Sequence, residues 1–119
     1  MRAAMVVAVF VPLLLLADEP KVTAPISSGD VRQICELVAS VTSDRIITIG
    51  GVLSNEYVPG AVPRESFHFA ADGTRVPSTC YERGDLVWVH TSHKTHPMEY
   101  RVEKSPQGWK IISKQQMAD

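Results

Sequence analysis

Residues Leu86 to Thr91 read Leu-Val-Trp-Val-His-Thr, and this run constrains the fold more than any other. Side chains on an extended strand alternate between two faces. Leu86, Trp88 and His90 therefore share one side, and Val87, Val89 and Thr91 share the other. Both sides are largely apolar, which predicts a central strand covered on both faces. One helix can cover only one of them. The second face is then expected to meet a loop, a ligand or another subunit.

One amphipathic helix is legible. Val31, Ile34, Cys35, Val38 and Val41 fall at helical spacing, with Leu37 widening the stripe. Ser27 with Asp30, and Asp30 with Gln33, both have the spacing of a capping box. The pattern predicts a helix from about Asp30 to Thr42. A helix of this length is marginal alone, so its stripe must pack on something. Trp109, at the start of the last strand, is expected to be a core anchor.

Strand signals dominate the rest. Arg45–Ile49 is β-branched, and Gly50-Gly51 before Val52-Leu53 predicts a strand bent at a bulge. Asn55 to Pro63 reads as a loop, Arg64–Phe69 alternates with Glu65, Phe67 and Phe69 on one side, and Asp72-Gly73 marks a hairpin turn. Pro77 places Val76–Tyr81 at a sheet edge. Gly84-Asp85 reads as a turn into Leu86–Ser92, and Met98–Glu103 with Trp109–Ser113 as a closing hairpin. The expected fold class is α+β: one N-terminal helix packed on a curved antiparallel sheet of four to five strands.

The N-terminus reads as an address. Ala3 to Ala17 is an uncharged run of 15 residues behind Arg2, and Asp18-Glu19-Pro20 ends it. Such a run is shorter than the ~20 residues needed to span a bilayer, and the pattern is that of a secretory signal. The expectation is a signal peptide over 1–17, a flexible leader over 18–28, one domain over 29–114 and a tail over 115–119. The product would be secreted or periplasmic, with no membrane attachment after cleavage.

The 119 residues are 45% hydrophobic and 21% charged, with a net charge of −1. This composition excludes a collagen-like repeat, a coiled coil and a disordered tail, and it carries no electrostatic footprint for nucleic acid.

Tyr100-Arg101-Val102-Glu103-Lys104, a short turn and Gly108-Trp109-Lys110-Ile111-Ile112 resemble the last hairpin of nuclear transport factor 2-like domains. Asp85–Val89 is similar to the strand that precedes it. The resemblance covers Gly84 to Ser113. That family's cone normally carries three N-terminal helices, whereas this sequence shows one. The departure favours the simpler helix-on-sheet arrangement of cystatin-like domains. The family includes enzymes, ligand binders and non-catalytic interaction modules, so the resemblance implies a fold and not an activity. No catalytic motif of its enzymes maps onto this chain.

The chemistry-bearing residues are few. His90, His93 and His96 form His-x-x-His-x-x-His, but His90 and His93 point to opposite faces of a strand and no cysteine completes a set. No metal and no cofactor is expected. His68, Trp88, His90 and Tyr100 are candidate lining of an aromatic pocket. Glu99, Arg101 and Glu103 read as cross-strand charge pairs. Cys35 and Cys80 leave two alternatives open: a bridge worth about 4 kcal/mol, or two buried thiols. Arg83-Gly84-Asp85 spells an adhesion tripeptide and also an ordinary turn.

With no catalytic set assembled, the leading reading is a small exported, non-catalytic binding module. It would recognise a protein partner, or itself as a homodimer, through the uncovered sheet face (Val87, Val89, Ile112) and the loop at Val58 and Pro59. The alternatives are a cone-shaped small-molecule binder or enzyme with a histidine in its pocket, and an inhibitor or immunity-type protein acting through the Val58–Pro63 loop.

Overall fold

The structure, a computed structural model, describes residues 19–92 and 97–117. The expected export segment and two members of the histidine triplet, His93 and His96, lie outside the described residues.

The elements in chain order are β1 (Lys21–Val22), α1 (Ser28–Ala39), β2 (Ile46–Ser54), β3 (Val62–Phe69), β4 (Arg75–Thr91), β5 (Met98–Ser105) and β6 (Gly108–Gln116). They form one helix on a strongly curled sheet. The sheet runs β1-β2-β4-β5-β6, with β3 also paired to β4. All pairings are antiparallel except β1 on β2, so the sheet is mixed and has six strands.

The helix begins where a side chain can satisfy its free N–H groups. The Asp30 N–H donates to Ser27 Oγ at 3.1 Å, and the Ser27 N–H donates back to Asp30 Oδ2 at 3.4 Å. Of the two candidate boxes, the Ser27–Asp30 pair forms. The helix ends at Ala39, earlier than its apolar spacing predicts, because the Ser40 hydroxyl turns back onto the Leu37 carbonyl at 2.6 Å. Val41 is consequently exposed and leaves the stripe. Ile34 and Val38 pack with Ile49, Val87, Val89, Tyr100, Val102 and Trp109 to make the core. Trp109 is the anchor its position suggested: its indole N–H donates to Asp30 Oδ1 at 3.1 Å and ties the last strand to the start of the helix.

Several segment boundaries differ from the sequence reading. The leader supplies β1, with the Thr23 N–H donating to the Ile49 carbonyl at 2.9 Å and Ala24 buried in the core. The end of the chain through Gln116 continues β6, with Gln116 opposite Met98. The chain does not reverse at Gly84-Asp85. Instead, β4 is one 17-residue strand. Across this point its register against β2 steps, from Gly51 opposite Val87 to Leu53 opposite Glu82. Arg83 and Asp85 clasp each other, Nε to Oδ1 at 2.9 Å and Nη2 to Oδ2 at 3.0 Å. The adhesion-like tripeptide is therefore an internally paired step within a strand.

The two glycines in β2 have a packing cause. A Cβ on Gly50 would stand 2.0 Å from Trp88 Cζ2, and one on Gly51 would stand 2.4 Å from the Arg83 carbonyl oxygen. The bare backbone lets Trp88 lie flat across Gly50, its register partner. Gly50→Ala should destabilise the fold by about 1–3 kcal/mol, because the indole must leave its place to admit a methyl group. Urea unfolding followed by tryptophan fluorescence measures this, and an unchanged midpoint would contradict the packing argument.

Candidate functional site

The alternation of β4 sorts the predicted residues onto opposite sides. Val87, Val89 and Thr91 face the helix and are fully buried. Val87 and Val89 are thus core residues, which corrects their assignment to a partner surface: the single helix covers their face, and the other face carries Trp88 and His90. Tyr100 lies opposite Val89 and is buried on the core side. It cannot share a pocket with Trp88 and His90. His68 sits on β3, well along the hairpin from both. The four residues proposed as one aromatic lining are therefore split among three places. Ile112 does face outward and is 48% exposed.

The outer face is not the greasy surface its sequence suggested. Trp88 stacks on His90, with centroids 4.2 Å apart and planes at 25°. His90 Nε2 lies 2.9 Å from Glu99 Oε1, and Arg101 Nε donates to Glu99 Oε2 at 2.9 Å. Gln115 Nε2 adds a longer contact to Oε2 at 3.5 Å. Both oxygens of Glu99 are therefore engaged: His90 and Gln115 reach it across neighbouring strands, whereas Arg101 reaches it along β5 itself, so this charge pair is not the cross-strand one expected. Burial raises the Glu99 carboxyl, but the hydrogen bonds from His90 and Arg101 outweigh it and hold the group below its ordinary value. Asp30 is governed the same way: burial raises it, and the bonds from Trp109 and Ser27 bring it below the usual range. Among the described residues no three metal-ligating side chains converge.

The two cysteines are free. Cys35 packs under the helix, where burial pushes its thiol up, and Cys80 lies on β4 opposite Arg64. A bridge is absent because the two thiols sit on separate parts of the molecule.

The loop between β2 and β3 closes on itself. Val58 is half-buried, Pro59 is exposed, and the Ala61 N–H donates to the Val58 carbonyl at 3.0 Å, closing a turn that buries Ala61. Tyr57 packs edge-on against Tyr81, with centroids 5.6 Å apart. What projects is the hairpin of β3 with the first half of β4, an arm paired from Val62–Glu82 to Phe69–Arg75. Its tip is the predicted Asp72-Gly73 turn, where the Gly73 N–H donates to the Ala70 carbonyl at 2.9 Å and Asp72 Oδ1 accepts the Thr74 N–H at 2.9 Å.

One face of the arm is aromatic. Phe67 and Phe69 pack edge to face at 5.4 Å, and the Arg75 guanidinium sits 4.0 Å over the Phe67 ring. Pro77 stands opposite Phe67, and Glu65 and Thr79 continue the same face. A shallow open depression runs beside it, lined by residues 65–67, Arg75 and residues 77–79. Phe67 is 45% exposed and Phe69 66%. The opposite face holds Arg64, Ser66, His68 and Ser78, all exposed.

The arm is anchored at its base by Glu82. Its side chain is 10% exposed. Its Oε2 accepts the Gly51 N–H at 3.0 Å, and its Oε1 accepts Arg64 Nε at 2.8 Å. A carboxylate on β4 thus joins the arm strand β3 to the body strand β2.

Comparison of the chain with family models, with curated proteins and with solved structures finds no match. Among the described residues no helix is long and apolar enough to cross a membrane.

Sequence reasoning read both strands of the arm and the turn between them, but it missed that the second strand runs on into Leu86–Thr91, because Gly84-Asp85 argued for a reversal, and it gave Phe67 and Phe69 no role. Their place together on one side of a strand was the signal that could have found them.

A group whose pKa is lower in the folded state contributes stability that is fully present above its unfolded pKa and lost as pH falls through the folded one. Stability should therefore fall on acidification below the ordinary carboxylate range as Glu99 and Asp30 take up protons. Glu99→Gln should flatten part of that slope. Urea midpoints across an acid pH series measure it, and parallel profiles for the two proteins would refute the assignment.

Proposed function

We propose that this chain is a non-catalytic binding module whose docking element is the β3–β4 arm. The observation that carries the reading is the pair Phe67 and Phe69, exposed with Arg75 and Pro77 on one face of a ribbon whose base is locked by a buried carboxylate. Aromatic and arginine side chains dominate the binding energy of protein interfaces. Each phenylalanine contributes roughly 1.5–3 kcal/mol when it passes from full exposure to full burial. An isolated two-stranded ribbon is at best marginally stable in water, so a covering partner would also stabilise the arm.

The outer face supports binding less well and catalysis less still. Glu99 has both oxygens engaged by its neighbours, and among the described residues His90 bonds to no side chain but Glu99. Two further readings accompany the proposal. The apolar N-terminal run supports export to the periplasm or outside the cell. The order of one helix followed by a strand meander supports kinship with cystatin-like and nuclear transport factor 2-like domains.

The test is site-specific photo-cross-linking in the organism of origin, with a photoreactive phenylalanine analogue at Phe69 on the arm and, as control, at Lys114 on β6. A discrete adduct from the arm position alone is expected, and Phe67→Ser should reduce its yield. If the arm position gives no adduct, or gives the same adducts as the control, the arm is not the docking element.

A further inference from the structure

The directions of the arm's backbone groups identify one occupant for it. The Ala70 N–H donates to the Thr74 carbonyl at 2.8 Å and the Ala70 carbonyl accepts the Gly73 N–H at 2.9 Å, so Ala70 and Thr74 close the ladder as a hydrogen-bonded pair whose return bond is shifted to Gly73. Such pairs alternate with non-bonded ones along an antiparallel ladder. With the register of the arm, Arg64, Ser66 and His68 turn their N–H and C=O groups toward β4. Pro63, Glu65, Phe67 and Phe69 turn theirs away. On β4 the outward positions within the arm are Arg75, Pro77 and Thr79.

Both prolines therefore fall on outward positions, where they remove no ladder bond. Proline on an edge is a common block to strand addition. Pro77 interrupts the β4 edge in its middle, and Pro63 closes the base of the β3 edge. The β3 edge from Glu65 to Phe69 stays open: β3 pairs with no strand but β4 among the described residues. Three consecutive outward residues there present both N–H and C=O. Groups of this kind select an extended strand as their partner.

The geometry points to a second copy of this chain, paired antiparallel through β3 about a two-fold axis at Phe67. This inference rests on the arm's being the docking element and specifies what docks there. Only residues with outward groups can bond across the axis. A two-fold at Phe67 sets Phe67 opposite its own copy and Glu65 opposite Phe69, so every outward N–H and C=O from Glu65 to Phe69 finds a partner. Shifting the axis to Ser66 puts Pro63 opposite Phe69 and leaves a carbonyl without a donor. Shifting it to Glu65 sets two like charges face to face, which destabilises. Shifting it to His68 moves Glu65 opposite Ala71, in the turn. At the Phe67 register the phenylalanines of both copies also become contiguous on one face, and Ser66 stands beside His68 on the other. An isologous contact of this kind closes at the dimer.

Sedimentation velocity of the full-length chain across the micromolar range tests the pairing, with two proline variants. Glu65→Pro removes an outward N–H from the open edge at each end of the interface. Thr79→Pro makes the same change on the edge already blocked by Pro77. The expected result is a concentration-dependent dimer, weakened at least about tenfold by E65P and unaffected by T79P. A strictly monomeric chain, a dimer insensitive to E65P, or a dimer equally sensitive to both variants overturns it. Should E65P lose its β circular-dichroism signal, F67C decides. Oxidation should link position 67 of two copies, mapped by mass spectrometry, and absence of that link overturns the pairing. A monomer whose Phe69 position still cross-links to another protein sinks this pairing and leaves the docking arm standing. A monomer without any arm adduct sinks both.

Discussion

The buried carboxylate of Glu82 is the interaction on which the rest of this structure depends. Moving a charge out of water costs several kcal/mol unless it is paired and hydrogen-bonded. Here Arg64 reaches it from the arm and the Gly51 N–H from the body. The same residue stands opposite both Leu53 of β2 and Val62 of β3. One side chain thus marks the point where β4 exchanges a three-strand environment for a two-strand one. Backbone pairing of Leu53 and Ser54 with Glu82 and Tyr81, and the packing of Tyr57 on Tyr81, hold the same junction, but Glu82 is the one side chain there that bonds to both β2 and β3.

The sheet resolves the problem of its two-sided central strand unequally. The helix face is dry, built from valine and isoleucine around Trp109. The outer face is closed by aromatic stacking and ion pairing instead of by a second layer. Trp88 covers Gly50, His90 covers Trp88, and Glu99 ties His90 to Arg101. Satisfied polar groups at this depth leave little demand for a partner. The unmet demand lies on the arm, where phenylalanines are exposed and an edge of backbone groups is unpaired. Surface apolar residues scattered singly are ordinary, and the adjoining aromatic pair under an arginine is the feature on which the proposed docking role of the arm rests.

Much of this was legible in local pattern. The Ser27–Asp30 cap, the Ile34 and Val38 stripe, the Asp72-Gly73 turn, the closing hairpin with Trp109 as anchor, and the helix-on-curved-sheet class all follow from spacing and residue type, because each depends on neighbours a few residues apart. The candidate site was less legible. Phe67 was placed correctly on one side of its strand, but its partners Arg75 and Pro77 are reached only through the pairing of β3 with β4. Tyr100 and His90 carry equally plausible pocket chemistry as letters. Only the sheet register separates them onto opposite faces.

Residue order alone therefore decided the kind of elements and narrowed the helix cap to two candidate boxes. It also decided where turns were sterically favoured. The tertiary structure decided which apolar face of Leu86–Thr91 receives the helix, that Gly84 marks a step in a continuous strand and not a reversal, and that both prolines lie on outward edge positions. These outcomes are non-local. A strand's two faces are equivalent until something packs on one, and a proline's missing N–H has no consequence until the ladder determines which way it would have pointed.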